Sequence, residues 1–475
     1  MLVSRTREVE MLSAAAAKDE AQFIAVYGRR RVGKTFLVQE TFGNKFTFRH
    51  AGLAGGSKRE QISSFCDSLR RYGLGEFETP VDWMGAFELL KDLIESSKDE
   101  RKVVFIDELS WMDVRQGKLL LALESFWNGW ASGRKDLLLI VCASATSWMM
   151  DKVIHSKGGL YNRLTGQIHL SPFTLAECEE YLQANGIVMG RREILEGYMI
   201  LGGVPYYWSY LKKGLSLAQN IDAMFFGRDA PLRDEFDFLY ASLFAKPESY
   251  ISIISALAGK RTGLRRAEIV EATGVEDSGR LTRQLEELES CDFIRRYTCF
   301  GKKKKDAVYQ LVDGFTVFYY KFLSKHPTDE HYWSNQINTP ARNAWCGLAF
   351  ESVCLNHVAQ IKSKLGISGV LTEAHSWYCR EDPDRGLIGS QTDLLIVRRD
   401  RVVNVCEMKF SASEYALTKR DDEAMRNRIN DIQLSTHTSF ALHPTLVTTY
   451  GLRTNKYSGS IQSVITTDDL FRQVD

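Results

Sequence analysis

The segment Gly28-Arg-Arg-Arg-Val-Gly33-Lys34-Thr35 most strongly constrains the fold of the chain around it. Two glycines separated by four residues are followed by a lysine and then by a hydroxyl side chain, which is the spacing of a phosphate-binding loop. The apolar run FIAVY (residues 23–27) precedes the loop, and the apolar stretch Phe36-Leu-Val follows it. A strand, a glycine loop and a helix in this order predict a site for phosphate. A glycine-rich turn that carries basic residues is the alternative.

The residues of this loop have distinct expected roles. The glycines let the backbone curl so that successive N–H groups face an anion, and the start of the next helix adds its positive dipole end. Lys34 would reach the β- and γ-phosphates, and the hydroxyl of Thr35 would bind Mg²⁺. ATP and Mg²⁺ are therefore the expected cofactors. The expected nucleotide-binding residues of the loop are Gly28, Arg29, Arg30, Arg31, Val32, Gly33, Lys34, Thr35 and Phe36.

A second motif, Val103-Val-Phe-Ile-Asp107-Glu108, ends an apolar run with two carboxylates. It predicts a central strand whose carboxyl end meets the metal. Asp107 would hold Mg²⁺ through water, and Glu108 would act as the general base that polarises the attacking water. An exposed strand end is the alternative for this pair.

Short apolar runs alternate with helical stretches over residues 1–150. Strands are predicted at 23–27, 45–48, 102–107 and 137–142. Strands that alternate with helices predict a parallel sheet with helices on both faces. The last of these strands runs into a polar segment, where Ser144 or Thr146 would contact the γ-phosphate or the attacking water. A plain loop is the alternative there.

Length and composition limit the class of protein. The chain has 475 residues, 61 Lys and Arg against 60 Asp and Glu, and 44% hydrophobic residues. These values predict two to four globular domains and exclude wholesale disorder, so any nucleic-acid surface must be a local patch. The nine cysteines include no Cys-x-x-Cys pair, and the longest apolar stretch (137–150) is too short for a membrane span. We expect reduced thiols and a cytoplasmic protein without a membrane segment.

Together with four further motifs, these residues resemble the archaeal-type ATPase family, which belongs to the signal-transduction NTPases related to AAA+ proteins. The further motifs are Ser4-Arg5-Thr-Arg7-Glu8, Leu160-Tyr-Asn-Arg163, Leu170-Ser-Pro-Phe173 and Gly202-Gly-Val-Pro205. The resemblance covers residues 1–245 and implies ATP hydrolysis. It implies that Arg5 lies against the nucleotide base and that Pro205 belongs to a helical lid. It also implies that Arg163 senses the γ-phosphate, within one subunit or from a neighbour in a homo-oligomer; a surface position is the alternative.

Residues 246–325 show three helical segments followed by two β-rich runs around the basic tip GKKKK. The helices are predicted at 251–257, 265–272 and 278–288. This is the order of a winged helix-turn-helix, which would bring basic residues to DNA phosphates. The predicted DNA contacts are Arg280, Arg283, Arg295, Arg296, Lys302, Lys303, Lys304 and Lys305. A structural arm is the alternative, because Glu286, Glu287 and Glu289 make the end of the third helix acidic.

Residues 340–475 contain spaced carboxylates and a lysine. Glu351 lies on a predicted helix, Asp393 begins a strand, and Glu407 and Lys409 share one face of the next strand by period-2 geometry. The set resembles PD-(D/E)xK nucleases, and Gly347-Leu-Ala-Phe-Glu351 resembles the domain often fused to archaeal-type ATPases. Asp393 and Glu407 would share Mg²⁺ or Mn²⁺, Lys409 would activate water or neutralise phosphate, and Glu351 would complete the shell. An exposed ion pair, or the fold without activity, is the alternative.

The predicted fold class is α/β: a P-loop, AAA+-like parallel sheet with a helical lid, a winged-helix segment and a C-terminal α/β domain like that of restriction endonucleases. The predicted domains are 1–150 (P-loop ATPase core), 151–245 (helical lid), 246–325 (winged helix-turn-helix) and 340–475 (nuclease-like domain). The predicted function is ATP hydrolysis coupled to DNA interaction, with a Mg²⁺-dependent C-terminal nuclease site gated by the nucleotide. The alternative is a regulatory ATPase switch whose C-terminal domains bind DNA or protein without catalysis.

Overall fold

The computed structural model describes residues 2–156, 158–244, 246–260, 262–298, 300–301 and 307–474. The chain divides into two compact units, Met1–Pro172 and Phe173–Asp475. Within the described ranges, no helix has the length and apolar character needed to cross a membrane. None of the eight cysteines in these ranges forms a disulfide.

The first unit is a five-stranded parallel sheet with helices on both faces. Its strands are β1 (Gln22–Tyr27), β2 (Phe48–Ala51), β3 (Lys102–Asp107), β4 (Leu137–Ala143) and β5 (Gly166–His169). They pair in the order β2-β3-β4-β1-β5, and every pair is parallel. The helices are α1 (Thr6–Ala17), α2 (Lys34–Thr41), α3 (Lys58–Arg71), α4 (Trp83–Ser96), α5 (Leu109–Met112), α6 (Leu119–Gly129) and α7 (Thr146–Met149), with a 3₁₀ turn at Ala131–Gly133 and a π-helical turn at Met150–Ile154.

Alternation along the strands explains why helices cover both faces of this sheet. Phe23 and Ala25 of β1 pack into one apolar cluster with α3, α4 and α6, whereas Ile24 and Val26 pack into a second cluster with α1 and α2. Side chains two residues apart share a face, and each residue of β4 is buried. Strands buried on both faces are continuously apolar, which is the pattern that the sequence shows. The predicted parallel α/β sheet is confirmed.

The second strand lies later in the chain than predicted. The run at 45–48 predicts a strand, but β2 is Phe48–Ala51. Just before it, the hydroxyl of Thr47 accepts a hydrogen bond from Val103 N–H (3.2 Å) and donates to Asp99 (2.7 Å). The Thr47 N–H still donates to the Val103 carbonyl oxygen at 3.0 Å, but the return hydrogen bond from Val103 goes to the side chain of Thr47, and the strand begins after it. Phe48 and His50 then alternate as the buried residues.

The second unit combines a helical region with two sheets. Its helices are α8 (Leu175–Ala184), α9 (Arg191–Leu201), α10 (Pro205–Trp208), α11 (Leu217–Ile221), α12 (Glu235–Leu243), α13 (Pro247–Gly259), α14 (Arg266–Thr273), α15 (Gly279–Ser290), α16 (Gly314–Phe318), α17 (Tyr332–Asn335), α18 (Pro340–Asn356), α19 (Val358–Lys364), α20 (Lys419–Thr436) and α21 (Thr467–Leu470). The π-helical turns are Asp222–Phe226 and Tyr319–Leu323, and the 3₁₀ turns are Pro383–Arg385 and Ser458–Ser460. The strands are β6 (Leu264–Arg265), β7 (Ile294–Tyr297), β8 (Val308–Leu311), β9 (Thr372–Tyr378), β10 (Gln391–Arg398), β11 (Val402–Lys409), β12 (Tyr415–Ala416), β13 (Ala441–Thr448), β14 (Leu452–Arg453) and β15 (Ser463–Thr466).

The sheets of the second unit differ in direction. A small antiparallel sheet in the 246–325 segment has the order β6-β8-β7; β6 lies between α13 and α14, and β7 and β8 follow α15. A larger sheet has the order β15-β13-β11-β10-β9, in which β9, β10 and β11 are antiparallel and β11, β13 and β15 are parallel. Strands β12 and β14 form a short parallel pair. One apolar cluster includes residues from Phe173 to Phe471, so the helical region and both sheets share a core.

Candidate functional site

The phosphate loop lies between β1 and α2. Gly28 and Gly33 have φ values of 145° and 93°, which glycine adopts without strain. A Cβ at Gly28 would lie 2.3 Å from the carbonyl oxygen of Leu170, so no other residue fits there. Gly33 is the N-cap of α2, and the loop N–H groups and the positive end of the helix dipole therefore meet at one place. Glycine is thus required at position 28 because a side chain would clash, and it is favoured at position 33 because of the backbone conformation.

Lys34, Thr35 and Asp107 meet at this loop. Lys34 is 4% exposed, and its ammonium donates to the carbonyl oxygens of Gly28 (2.8 Å) and Arg29 (2.9 Å). Thr35 Oγ1 donates to Asp107 Oδ2 at 2.6 Å, across 72 residues of sequence. The other carboxylate oxygen of Asp107 accepts the Glu108 N–H at 2.9 Å. A hydroxyl and a carboxylate beside a phosphate loop are oxygen donors of the kind that fits Mg²⁺.

Glu108 is held by Ser144. Ser144 Oγ donates to Glu108 Oε1 at 2.5 Å, and the Ser144 N–H donates to Glu108 Oε2 at 3.1 Å. The contact forms because Ser144 follows β4, which is the neighbour of β3 in the sheet. Thr146, the other candidate after β4, is buried. Burial, together with the neighbouring Asp107 carboxylate, raises the pKa of the Cys142 thiol and keeps this neighbour of the site neutral.

The other residues predicted in the loop have varied environments. Arg29 and Val32 are buried. Arg31 has a left-handed backbone with a φ of 73°. The guanidinium carbon of Arg30 lies 5.9 Å from the centre of the Trp111 ring, on the segment that follows Glu108. Phe36 is 45% exposed, on the outer face of α2.

Three residues were predicted from the family resemblance alone. Arg5 is buried, and its Nη2 donates to the carbonyl oxygen of Ser171 at 2.6 Å. Arg163 is exposed in the segment before β5. Pro205 is the first residue of α10 and belongs to the second unit. Their roles at a nucleotide stay predictions.

The arginines predicted to contact DNA are not equally accessible. Arg280 and Arg283 on α15 and Arg296 on β7 are exposed. Arg295 is half-buried, and its Nε donates to Gln310 Oε1 at 2.8 Å. Burial lowers the pKa of Arg295 to about 10. The predicted contacts Lys302, Lys303, Lys304 and Lys305 lie outside the described residues.

The segment that follows β7 packs on the larger sheet of its unit. The Phe300 N–H donates to the carbonyl oxygen of Ser376 at 3.0 Å, and His375 Nδ1 donates to the carbonyl oxygen of Thr298 at 3.2 Å. Ser376 and His375 belong to β9, which is an edge strand with open backbone groups. This part of the hairpin therefore covers the edge of the sheet.

Glu407 and Lys409 face the same side of β11, as predicted. Lys409 Nζ lies 2.8 Å from Glu407 Oε1, and Arg428 Nη1 of α20 donates to Glu407 Oε2 at 2.7 Å. The three side chains line a cavity of about 360 Å³. Met408 points to the opposite side, into the core of the unit. Two cations thus neutralise the one carboxylate.

Glu351 and Asp393 line a different cavity, of about 260 Å³. The register of β10 against β9 shifts between Thr392 and Leu395, so Asp393 lies in a β-bulge. A bulge re-aims side chains, and period-2 geometry therefore does not hold for Asp393. The structure does not bring Asp393 and Glu351 into the cavity of Glu407. Within the described ranges, no group of three or more His, Cys, Asp or Glu side chains is placed to hold a metal ion.

Two residues at these sites were missed from sequence. Arg428 lies on the same face of α20 as the buried Met425 and Ile432, so a charged residue in an apolar helical stripe was the available signal. Gln61 lies on the buried face of α3 with Phe65 and Leu69, and a buried amide at that spacing was the signal there. In neither case does the sequence predict which residues the side chain contacts.

A parallel sheet whose carboxyl edge brings together a phosphate loop, a lysine and two carboxylates defines a P-loop ATPase. A family model described as an ATPase domain predominantly from Archaea matches residues 2–211. This part of the chain therefore belongs to the archaeal-type ATPase family, and the resemblance expected for residues 1–245 is confirmed over the matched residues.

Two curated relatives come from Methanocaldococcus jannaschii. An uncharacterized protein is 25% identical over 426 residues, which cover 86% of this chain and 88% of the relative. An uncharacterized ATP-binding protein is 44% identical over 45 residues, which cover 10% of this chain and 76% of the relative. The longer match extends well beyond the ATPase domain.

Two solved structures resemble this chain, each with a TM-score below 0.5. The Walker-type ATPase of Pyrococcus abyssi has a TM-score of 0.47 and 17% identity, with 66% of this chain and 95% of that chain covered. The ORC2 protein of Aeropyrum pernix, in ADPNP–ADP complexes, has a TM-score of 0.39 and 13% identity, with 75% and 96% covered.

Proposed function

We propose that this chain binds and hydrolyses ATP at the phosphate loop and uses the bound nucleotide to control a C-terminal part that contacts DNA. The 2.6 Å hydrogen bond from Thr35 Oγ1 to Asp107 Oδ2 carries the proposal, because it joins the phosphate loop to the acidic strand end. The family of residues 2–211 supports ATP as the nucleotide. The site residues then have the following tasks.

Lys34 and the loop N–H groups bind the β- and γ-phosphate oxygens, since a charged donor and a helix N-terminus face one place. Glu108 orients the attacking water and accepts its proton. Ser144 holds both oxygens of the Glu108 carboxylate, so the base starts from a defined position. Water activation and phosphate binding are thus assigned to different side chains.

Thr35 and Asp107 would hold the magnesium ion. Their oxygens already lie 2.6 Å apart, which suits two donors near one small cation. The Thr35 hydroxyl would bind the ion, and Asp107 would hold it through water. When bound, Mg²⁺ supplies charge neutralisation at the β- and γ-phosphates.

Arg5, Arg163 and Pro205 complete the nucleotide site in this proposal. The side chain of Arg5 is already fixed by Ser171, which supports a role against the base. Arg163 is exposed, which supports contact with the γ-phosphate from a neighbouring subunit. Pro205, at the start of α10, is proposed to belong to a lid over the nucleotide.

Equilibrium binding of ATP to the Lys34→Ala variant tests this proposal. Loss of a charged donor to phosphate predicts an affinity about 10- to 100-fold weaker. Lys45→Ala is the matched control, because Lys45 is an exposed lysine near the same helix. Wild-type ATP affinity in Lys34→Ala would reject the phosphate loop as the nucleotide site.

DNA contact is proposed for the exposed face of α15. Arg280 and Arg283 are one helical turn apart and both exposed, so they can contact neighbouring phosphates. The packing of Phe300 on Ser376 and of Thr298 on His375 supports a structural role for that part of the hairpin. Among the described residues, α15 is therefore the proposed contact; the predicted contacts Lys302, Lys303, Lys304 and Lys305 lie outside them and stay predictions.

The salt dependence of DNA binding tests this interaction. Removal of one arginine–phosphate interaction should reduce the slope of log affinity against log salt by about 0.9. We expect this reduction for Arg280→Ala and for Arg283→Ala, but not for Arg59→Ala, an exposed arginine on α3. Equal slopes in all variants would refute DNA binding through α15.

A metal-dependent nuclease is the second candidate function. Glu407 and Lys409 on one strand face, lining a cavity of about 360 Å³, favour it. The pairing of Glu407 with Arg428 and the placement of Asp393 in a β-bulge favour the regulatory switch instead. We therefore rank the switch first.

Incubation of the protein with single- and double-stranded DNA, with Mg²⁺ or Mn²⁺ and with or without ATP, separates the two candidates. Cleavage by the wild type and by Lys419→Ala, but not by Lys409→Ala, would establish a nuclease. Lys419 is an exposed lysine on α20 and serves as the matched control. Absence of cleavage in all samples, with ATP hydrolysis intact, would leave the switch.

A further inference from the structure

A polar clamp lies beside Glu108 in the first unit. It consists of Gln61 on α3, the loop 52–56 after β2, and α5 after Glu108. Gln61 is fully buried, with 0% exposure. Its side chain accepts the Leu53 N–H at 3.0 Å and donates to the carbonyl oxygens of Leu53 (2.6 Å) and Trp111 (3.0 Å). One buried amide therefore ties together the segments that follow the neighbouring strands β2 and β3.

The backbone of Glu108 needs support. Its φ of 47° lies in the left-handed region, which is strained for a residue with a side chain. Such a conformation persists where the surroundings hold it. The Trp111 N–H donates to the Glu108 carbonyl oxygen at 2.9 Å, and the Trp111 carbonyl oxygen is the acceptor for Gln61. Gln61 thus holds the turn that begins at the strained glutamate.

Gly52 contacts the same turn from the other side. Its N–H donates to the Asp107 carbonyl oxygen at 3.0 Å. A Cβ at Gly52 would lie 2.7 Å from the Glu108 carbonyl oxygen, so the loop packs directly on the backbone of both carboxylate residues. Leu53, the next residue, donates its N–H to the Gln61 side chain and accepts a hydrogen bond from it at its carbonyl oxygen, and these two bonds keep the loop there.

We infer that Gln61 is a positioning residue for ATP hydrolysis, which keeps Glu108 in its left-handed conformation and its carboxylate on Ser144. The inference rests on the proposed function, in which Glu108 is the general base. The partners of Gln61 lie in the 52–56 loop and α5, whereas Lys34 and Thr35 lie on α2. Loss of Gln61 therefore slows hydrolysis while nucleotide affinity is retained.

Steady-state kinetics and ATP affinity of Gln61→Met test the inference. Methionine keeps the length and volume but removes each of the side-chain hydrogen bonds. We expect kcat to fall about 10- to 100-fold, with KM and the ATP dissociation constant within about threefold of the wild type. Ser68→Ala is the matched control, because Ser68 is another buried polar residue of α3 and its hydroxyl contacts Ser64, His50 and Arg71 rather than the 52–56 loop or α5.

Gln61→Glu provides a second variant if Gln61→Met does not fold. It keeps the acceptor for Leu53 N–H and places a carboxylate against the carbonyl oxygens of Leu53 and Trp111, so the same loss of kcat is expected. Wild-type kcat in either folded variant, or a parallel loss of ATP affinity, overturns the inference. Glu108→Gln is measured alongside. If this variant hydrolyses ATP at the wild-type rate, the proposed function fails. If Glu108→Gln is inactive but the Gln61 variants have wild-type kcat, only the inference about Gln61 is rejected.

Discussion

The two carboxylate sites of this molecule use opposite electrostatics. At the phosphate loop, Asp107 and Glu108 accept hydrogen bonds from the neutral hydroxyls of Thr35 and Ser144 and from backbone N–H groups. On β11, Glu407 accepts from two cations, Lys409 and Arg428, at 2.8 and 2.7 Å. The first arrangement holds the carboxylates and keeps their charge, whereas the second neutralises it.

These opposite electrostatics indicate which site is built for chemistry on a phosphate. A carboxylate on neutral donors has charge left for a cation or for a proton from water. A carboxylate that pairs with two cations is already neutralised. A metal ion could bind Glu407 only by displacing both Lys409 and Arg428. We therefore propose catalysis at the first site and structural pairing at the second.

The largest predicted effect is a pH dependence of folding stability, which both units should show. His50 in the first unit and His357 in the second are buried, and burial, joined at His50 by the charge of Arg71, lowers the pKa of each to about 4. Folding stability should be full above pH 6.5 and fall as the pH drops from 6.5 towards 4, because the unfolded chain binds the proton first. Over this pH range, each buried histidine should lower the free energy of unfolding by up to about 3 kcal/mol.

Urea unfolding at pH 7 and pH 4.5 checks this expectation. His50→Leu should remove part of the loss from the first unit, and His357→Gln should remove part from the second. His331→Gln, at an exposed histidine, is the control. Equal stability of the wild type at the two pH values would contradict the expected proton linkage.

Asp107→Asn should lower ATP turnover by about 100-fold, as expected when a water-mediated partner of a metal is lost. The matching change on β11, Glu407→Gln, should leave ATP turnover unchanged. Mg²⁺-dependent hydrolysis measured for both variants checks the contrast. Equal turnover of Asp107→Asn and the wild type would remove the distinction between the two sites.

Ser144→Ala should reduce kcat by about tenfold, because Glu108 keeps the hydrogen bond from the backbone N–H but loses the hydroxyl. ATP affinity should not change. Thr41→Ala is a suitable control, since the Thr41 hydroxyl donates to Leu37 within α2. A wild-type kcat in Ser144→Ala would remove the proposed role of the neutral donor.

Glu407→Gln should destabilise the second unit by about 1 kcal/mol, a value set by the partial exposure of the three side chains. The variant leaves Lys409 and Arg428 facing each other without a carboxylate. Adding Arg428→Met should recover part of the loss. Urea unfolding with Glu423→Gln, at an exposed glutamate, as the control measures the effect; full stability of Glu407→Gln would contradict structural pairing.

Local patterns predicted the strand, loop and helix around Lys34 and Thr35, because these residues are contiguous and the strands around them are continuously apolar. Period 2 also placed Glu407 and Lys409 on one face. Asp393 could not be placed, since the bulge between Thr392 and Leu395 depends on pairing with β9. Gln61 and Arg428 were missed for a related reason: their partners are up to 50 and 21 residues away in sequence.

Glu108→Gln separates ATP binding from ATP hydrolysis, and measuring both in this variant tests the assignment of catalysis to the phosphate loop. The amide keeps the size of the side chain but cannot take the proton of the attacking water. We expect wild-type affinity for ATP with turnover reduced by about 10²- to 10⁴-fold, the usual contribution of a general base. Turnover equal to that of the wild type would contradict the assignment of catalysis to this site.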